Sequence, residues 1–164
     1  MAEYHIAELP LGGGVIGIAG IPGRSGAYQH DLSAILRWQA GMVLTMTEAM
    51  ELTYADAGSL GDDLTAAGVT WWHLPIFNMG APPAGVQALW PEVSAMAHRM
   101  LREGGRVLAH CYGGCGRSGM ALLRLMVEAG EAPEAALARL RGARACAVET
   151  GEQFDWAAEG WQGV

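Results

Sequence analysis

Short apolar runs, each closed by glycine, proline or a polar cluster, alternate along the chain with longer segments whose apolar residues recur every three or four positions. The runs at 14–19, 42–46, 70–76 and 106–110 are too short for stable helices and predict buried strands. The longer segments predict helices at 31–39, 56–67, 85–103, 118–129, 133–141 and 152–161. Asp31 reads as the N-cap of the first helix, and Pro133 fits the first turn of the fifth, where a missing N–H does no harm. Strands alternating with helices predict an α/β domain with at least part of its sheet parallel. The Pro82-Pro83 pair keeps 77–85 irregular, and 21–30 reads as a second loop.

Composition narrows this picture. With 164 residues and no repeat or low-complexity linker, one domain over 1–164 is expected. No apolar stretch approaches the ~18–20 residues of a membrane helix. The start MAEYHIAELP has neither the basic and long apolar segments of a signal peptide nor the arginines of a transit peptide. Cys111, Cys115 and Cys146 are an odd set at no disulfide-framework spacing, so a reducing cytoplasm is expected. A net charge of −7 argues against nucleic acid or acidic membrane surfaces as partners, while leaving room for a local basic pocket.

That pocket has a candidate in HCYGGCGRSG, residues 110–119. A strand that passes through glycines into a helix start gathers backbone N–H groups and the positive end of the helix dipole at one spot. Between Cys111 and Arg117 stand Tyr112, Gly113, Gly114, Cys115 and Gly116, a length that can wrap a tetrahedral oxyanion. Arg117 suits two phosphoryl oxygens at once through its planar fork. The same positive field favours the thiolate form of Cys111, the nucleophile. Ser118 can donate its hydroxyl to that sulfur when it departs, and His110 is expected to stiffen the loop by a hydrogen bond. The chemistry predicted is attack of sulfur on phosphorus, loss of an alcohol or phenol, then hydrolysis of the phosphocysteine, with no cofactor and no metal.

Plainer readings exist. A cysteine after a strand is often a small buried hydrophobe. His110 with three cysteines hints at zinc, although four ligands at coherent spacing are lacking. Sulfur transfer also uses a reactive cysteine in a loop ahead of a helix.

HCYGGCGRSG resembles the His-Cys-x5-Arg-Ser/Thr-Gly signature of the cysteine-based protein tyrosine phosphatases. Within them the chain looks like a dual-specificity phosphatase, most like the cyclin-dependent-kinase-associated phosphatase, whose loop also has Tyr-Gly-Gly after the cysteine. The likeness extends to GIAGIPG, HLPIFNMGAPP and AVETGEQF. It implies a mostly parallel sheet of four or five strands flanked by helices, Cys111 as nucleophile, Arg117 as phosphate ligand and Ser118 as aid to thiolate departure. The expected partner is a phosphorylated protein or a small aryl phosphate.

One position departs from the pattern. In that family Leu-Pro-Ile-x-Asp carries the general acid, and here Leu74-Pro75-Ile76-Phe77 leads into Asn78. An amide gives no proton as an acid does, and a positioned acid contributes ~10²- to 10⁴-fold. The resemblance therefore allows a slow enzyme biased toward aryl phosphates, a substitute carboxylate among Asp31, Asp56, Asp62 and Asp63, or a pseudophosphatase that binds phosphorylated partners. A phosphoinositide phosphatase is the further alternative, although the loop brings no lysine or second arginine.

Smaller signals remain. Gln153 matches a glutamine that positions water in related enzymes, and equally fits N3 of a capping box with Thr150 as N-cap. Arg24 reads as a surface loop residue. Cys115 reads as a space-filler, or as a partner for oxidised Cys111. Trp71, Trp72, Trp156 and Trp161 read as packing residues.

Overall fold

The structure, a computed structural model, describes residues 3–163; the first two residues of MAEYHIAELP and the last residue of the 1–164 unit lie outside it. Five strands form one sheet in the order β1-β2-β5-β3-β4. They are β1 (Ala7–Leu11), β2 (Gly14–Ala19), β3 (Met42–Thr45), β4 (Thr70–His73) and β5 (Arg106–His110). β2, β5, β3 and β4 run parallel, and β1 pairs antiparallel with β2. Seven helices connect and cover them among the described residues: α1 (Tyr28–Arg37), α2 (Ala49–Tyr54), α3 (Leu60–Ala66), α4 (Ala84–Arg102), α5 (Gly116–Glu128), α6 (Pro133–Ala143) and α7 (Gly151–Ala158). The mostly parallel α/β fold expected from the sequence is the one present.

Strand alternation explains the two cores. Ile16, Ile18, Met42, Leu44, Val107 and Ala109 face α4, α5, α6 and α7, whereas Ala19, Val43 and Leu108 face α1, α2 and α3. With both faces covered, these strands are apolar at nearly every position, and α5 between sheet and outer helices is apolar nearly all round. No helix among the described residues is long and apolar enough to cross a membrane.

Several boundaries differ from the sequence reading. β1 was not expected: Pro10 argues against a strand, but it sits on the edge, where its missing N–H faces no partner strand. Gly12 and Gly13 make the two-residue hairpin turn, both with positive φ. Nor was α2 expected; its capping box joins Glu48 and Glu51 instead of starting from Ser or Thr. The helix expected from residue 56 begins only at Leu60, after Asp56 takes a left-handed φ of 57°. Asp31 is not an N-cap: α1 starts at Tyr28, and buried Asp31 accepts the Gly23 N–H at 2.8 Å. Trp161 lies beyond α7 and is partly exposed rather than packed in a helix.

Candidate active site

Four segments of the site leave the carboxyl ends of parallel strands, the usual place for ligands in open α/β sheets, and a fifth, carrying Glu149, is the connection from α6 to α7. Residues 110–116 follow β5, the segment reaching α2 follows β3, Leu74 to Asn78 follows β4, and Gly20 to Arg24 follows β2. Together they line a cleft of about 620 Å³, with Cys111, Arg117, Asn78, Arg24, Glu51 and Glu149 among its walls.

The loop after β5 is held from outside by its carbonyls. His110 Nδ1 lies 3.2 Å from Cys111 O, Ile21 N donates to Tyr112 O at 3.0 Å, and Arg144 donates to Gly113 O and Gly114 O at 3.0 and 2.9 Å. Cys115 O accepts from Gly119 N and Val148 N at 3.0 and 3.1 Å. In a trans peptide the N–H lies opposite the C=O, so anchoring these five carbonyls turns the N–H groups of Tyr112, Gly113, Gly114, Cys115 and Gly116 the other way. Among the described residues those five N–H groups, and that of Arg117, donate to no protein acceptor. Gly114 makes the bend possible: its φ is 75°, and a side chain there would strike the backbone of Ala19 and Gly20.

Cys111 is buried at the head of this loop, with Sγ 3.2 Å from Ser118 Oγ. Toward a thiolate, only the hydroxyl of that pair can donate. α5 begins at Gly116, so Arg117 and Ser118 belong to its first turn. His110 is fully buried, and burial pushes its pKa down to about 4, so it is neutral at pH 7. Its tautomer follows from its partners. Nδ1 faces a carbonyl and carries the proton, so Nε2 accepts from Thr45 Oγ1 at 2.8 Å, while Thr45 in turn accepts from Trp71 Nε1 at 2.8 Å. The stiffening role expected of His110 thus has a geometry.

Arg117 is buried and paired end-on with Glu51: Nη1 donates to Oε2 at 2.7 Å and Nη2 to Oε1 at 2.8 Å. Nη1 also donates to Ile76 O at 2.7 Å. Burial works against the charged arginine, but the Glu51 bonds outweigh it and raise its pKa. Burial likewise opposes the Glu51 carboxylate, and the Arg117 bonds hold its pKa below the usual value. Of the five guanidinium donors, Nε–H and the second Nη2–H remain. These form the side-on edge of the fork, parallel and adjacent, which suits two oxygens of one phosphoryl group. Glu51 went unnoticed in the sequence because it meets Arg117 across 66 positions.

The other expectations divide. Asn78 is exposed on the cleft wall, followed by Met79 with φ 68°. None of Asp31, Asp56, Asp62 and Asp63 lines the cleft; its carboxylates are Glu48, Glu51 and Glu149. Gln153 is the buried N3 residue of the α7 capping box. Its Oε1 accepts from Glu149 N and Thr150 N and its Nε2 donates to Gly80 O, which occupies the amide with backbone partners. Arg24, expected as a plain surface residue, stands 4.9 Å over the Tyr112 ring at the cleft. Cys115 does not partner Cys111: it is bonded to Cys146, 31 residues on, leaving Cys111 the free cysteine. The bond removes both thiolates a zinc site would need, and with them the cysteine-count argument for a reducing cytoplasm.

The family model described as "Tc-R-P: Polymorphic toxin system, DSP-PTPase phosphatase" matches residues 17–131. No curated protein matches the sequence. Among solved structures, kinase associated phosphatase (KAP), with its catalytic-site cysteine replaced by serine, superposes with a TM-score of 0.83 at 23% identity, over 97% of this chain and 94% of that one. Tk-PTP in the active form gives a TM-score of 0.72 at 31% identity, over 91% and 92% of the two chains. The human tyrosine phosphatase-like serine/threonine/tyrosine-interacting protein gives 0.70 at 17% identity, over 93% of each. At their identities the first and third of these speak to the fold alone.

Proposed function

Since the chain belongs to the Tc-R-P family of DSP-PTPase phosphatases, within the cysteine-based dual-specificity class, we propose that it hydrolyses phosphomonoesters through a phosphocysteine at Cys111, as one phosphatase domain over 1–164. The observation that supports this is the run of five N–H groups, freed by outward-anchored carbonyls, that follows a buried cysteine outside any disulfide on the wall of the same cleft. A phosphoryl group in the ring accepts from Tyr112, Gly113, Gly114, Cys115 and Gly116, and from the open edge of Arg117. Glu51 keeps its two bonds to the other edge throughout, so Arg117 binds without breaking an ion pair.

The Cys111 thiolate attacks phosphorus, the S–P bond forms as the P–O ester bond breaks, and the ester oxygen leaves as phenolate or alkoxide and takes its proton from water. Water then attacks phosphorus, the S–P bond breaks, and Ser118 donates to the departing sulfur. His110, neutral and bonded on both nitrogens, fixes the Cys111 carbonyl and takes no proton in either step. With an amide at 78, aryl phosphates are the better substrates, because a phenol of pKa ~10 leaves more readily than an alkyl alcohol. Exposed Met50 and Tyr54 on the cleft wall, with Phe77 and Met79 beside Asn78, offer an apolar surface for an aromatic ring. Phosphotyrosine in a protein and small aryl phosphates fit that description. The Cys115–Cys146 bond favours a compartment where disulfides persist.

The test is phosphate release from an aryl phosphate and from phosphotyrosine and phosphoserine peptides, by the parent and by Cys111→Ser. The parent is expected to release phosphate, fastest from the aryl ester, with radiolabel trapped on Cys111 after acid quench. Cys111→Ser is expected to release none. The second reading, a phosphate-binding module, is favoured by Asn78 alone. Vanadate raises the Tm of either kind of protein, and a parent that binds vanadate yet releases no phosphate decides for the module.

A further inference from the structure

Asn78 leaves the leaving oxygen without a proton donor, and the cleft contains three carboxylates. Two are engaged. Both oxygens of Glu51 accept from Arg117, and Oε2 also accepts from Glu48 N at 2.8 Å. The Glu48 side chain is turned back to the start of α2 in its capping box, while the Glu51 N–H donates to the Glu48 carbonyl at 3.1 Å. Glu149 differs: among the described residues its carboxylate accepts no hydrogen bond and forms no ion pair, and the residue is solvent-exposed on the cleft wall. We propose that Glu149 is the proton-transfer group of this phosphatase, in the place that Asn78 cannot fill; the inference rests on the phosphocysteine reading above.

The backbone that carries Glu149 is fixed beside the ring, and its carboxylate is left without a protein partner among the described residues. Its Oε1 packs against Gly116, the first residue of α5 and a member of the N–H ring; a Cβ there would collide with that oxygen. Glycine at 116 leaves room there for the Glu149 carboxylate and for the Gln153 amide. The backbone delivering it is held from several sides. Val148 has a φ of 67°, a left-handed conformation that is costly for a β-branched residue and persists only when its surroundings impose it. Those surroundings are Val148 N on Cys115 O, Arg141 on Ala147 O and Val148 O at 2.8 and 2.7 Å, and Gln153 Oε1 on Glu149 N at 2.9 Å. The Cys115–Cys146 bond joins the same segment to the ring covalently. Gln153 Nε2 on Gly80 O then brings the Asn78 loop against it, so Glu149 and Asn78 share one cleft wall region.

The steps balance. In the acid form Glu149 gives its proton to the ester oxygen as the P–O bond breaks and the S–P bond forms, and it becomes a carboxylate. Water next enters the apical position the leaving oxygen vacated, opposite sulfur. Glu149, facing that same position, takes a proton from the water as it attacks phosphorus and Cys111 leaves as thiolate, which returns the acid form.

The test compares parent, Glu149→Gln, the double variant Glu149→Gln with Asn78→Asp, and Cys111→Ser on aryl phosphates of rising phenol pKa and on an alkyl phosphate. Glu149→Gln is expected to lose ~10-fold on the best leaving group and ~10²-fold on the alkyl ester. Its vanadate-induced rise in Tm is expected to match that of the parent. Asn78→Asp added to Glu149→Gln is expected to restore the shallow leaving-group dependence by returning a carboxyl to the cleft. An unchanged Glu149→Gln overturns the inference, and so does a loss independent of leaving group that Asn78→Asp does not restore, or a lost vanadate response. Phosphate release by Cys111→Ser, or none by the parent, would instead overturn the phosphocysteine reading, and Glu149 with it.

Discussion

Arg117 and Arg124 leave α5 seven residues apart, two turns along nearly one face, and each is paired with a glutamate, yet the two pairs are built for different ends. Around Glu128 everything is taken. Its four acceptor sites receive Trp90 Nε1, Ser94 Oγ, His98 Nε2 and Arg124 Nε at 2.6 to 3.1 Å. Arg124 also donates to Trp156 O at 2.7 Å and lies 4.5 Å over the Trp156 ring, which meets Trp90 edge-on. Around Glu51 the carboxylate is satisfied too, but Arg117 keeps one whole edge of its fork open toward the cleft. Saturation marks the cluster that holds α4, α5 and α7 together; the unused donors mark the site.

The largest effect expected from breaking this contrast is at the saturated end. Glu128→Ala strands a mostly buried arginine, an indole N–H and a hydroxyl, and should lower unfolding free energy by about 3–5 kcal/mol. Denaturant unfolding measures it, and kcat/KM per folded molecule should stay at the parent's value. A loss in activity without a loss in stability would show that the two pairs are not separable.

Titration separates buried groups by window. Burial opposes the Glu128 carboxylate, yet its bonds from His98, Ser94, Trp90 and Arg124 bring its pKa down to about 2. A depressed folded pKa means stability present above the unfolded value of about 4.5 and lost as pH falls toward 2. His110 is also depressed, from 6.5 to about 4, here because the neutral ring is what the protein buries. The unfolded chain takes up that proton first as pH falls, so its contribution is complete above 6.5 and lost on the way to about 4. The loss is on the order of 3 kcal/mol. Unfolding free energy measured against pH should show this upper window in parent and Glu128→Ala alike, and the lower window only in the parent.

Much of this was legible in the sequence where chemistry and structure are local. The strands at 14–19 and 106–110 match to the residue, and the 110–119 loop carries its glycines, cysteine and arginine in one contiguous stretch. What stayed hidden was joined across distance. Glu51 belongs to a helix too short to show a period and reaches a residue on another element. Arg144 and Cys146 anchor the loop from 30 and 31 positions downstream, where neither has a motif. Glu149 was hidden for another reason, since only packing against Gly116 distinguishes it from any exposed glutamate. Periodicity reports which face is buried; it does not report which distant side chain a buried arginine will find.

The smallest effect, and the sharpest for the comparison, is at Glu51. Glu51→Gln keeps one acceptor for Arg117, so it should cost less stability than Glu128→Ala. It does remove the second charged bond that fixes the guanidinium plane. If Glu51 positions the fork, kcat should fall about 10-fold as the open edge loses its aim at the transition state. KM should not rise, because an arginine relieved of its carboxylate attracts a phosphate dianion at least as strongly. A binding role for Glu51 predicts the reverse split, KM raised at constant kcat. Steady-state kinetics on one aryl phosphate tells the two apart, and a stability loss as large as that of Glu128→Ala would place both glutamates in the same structural class.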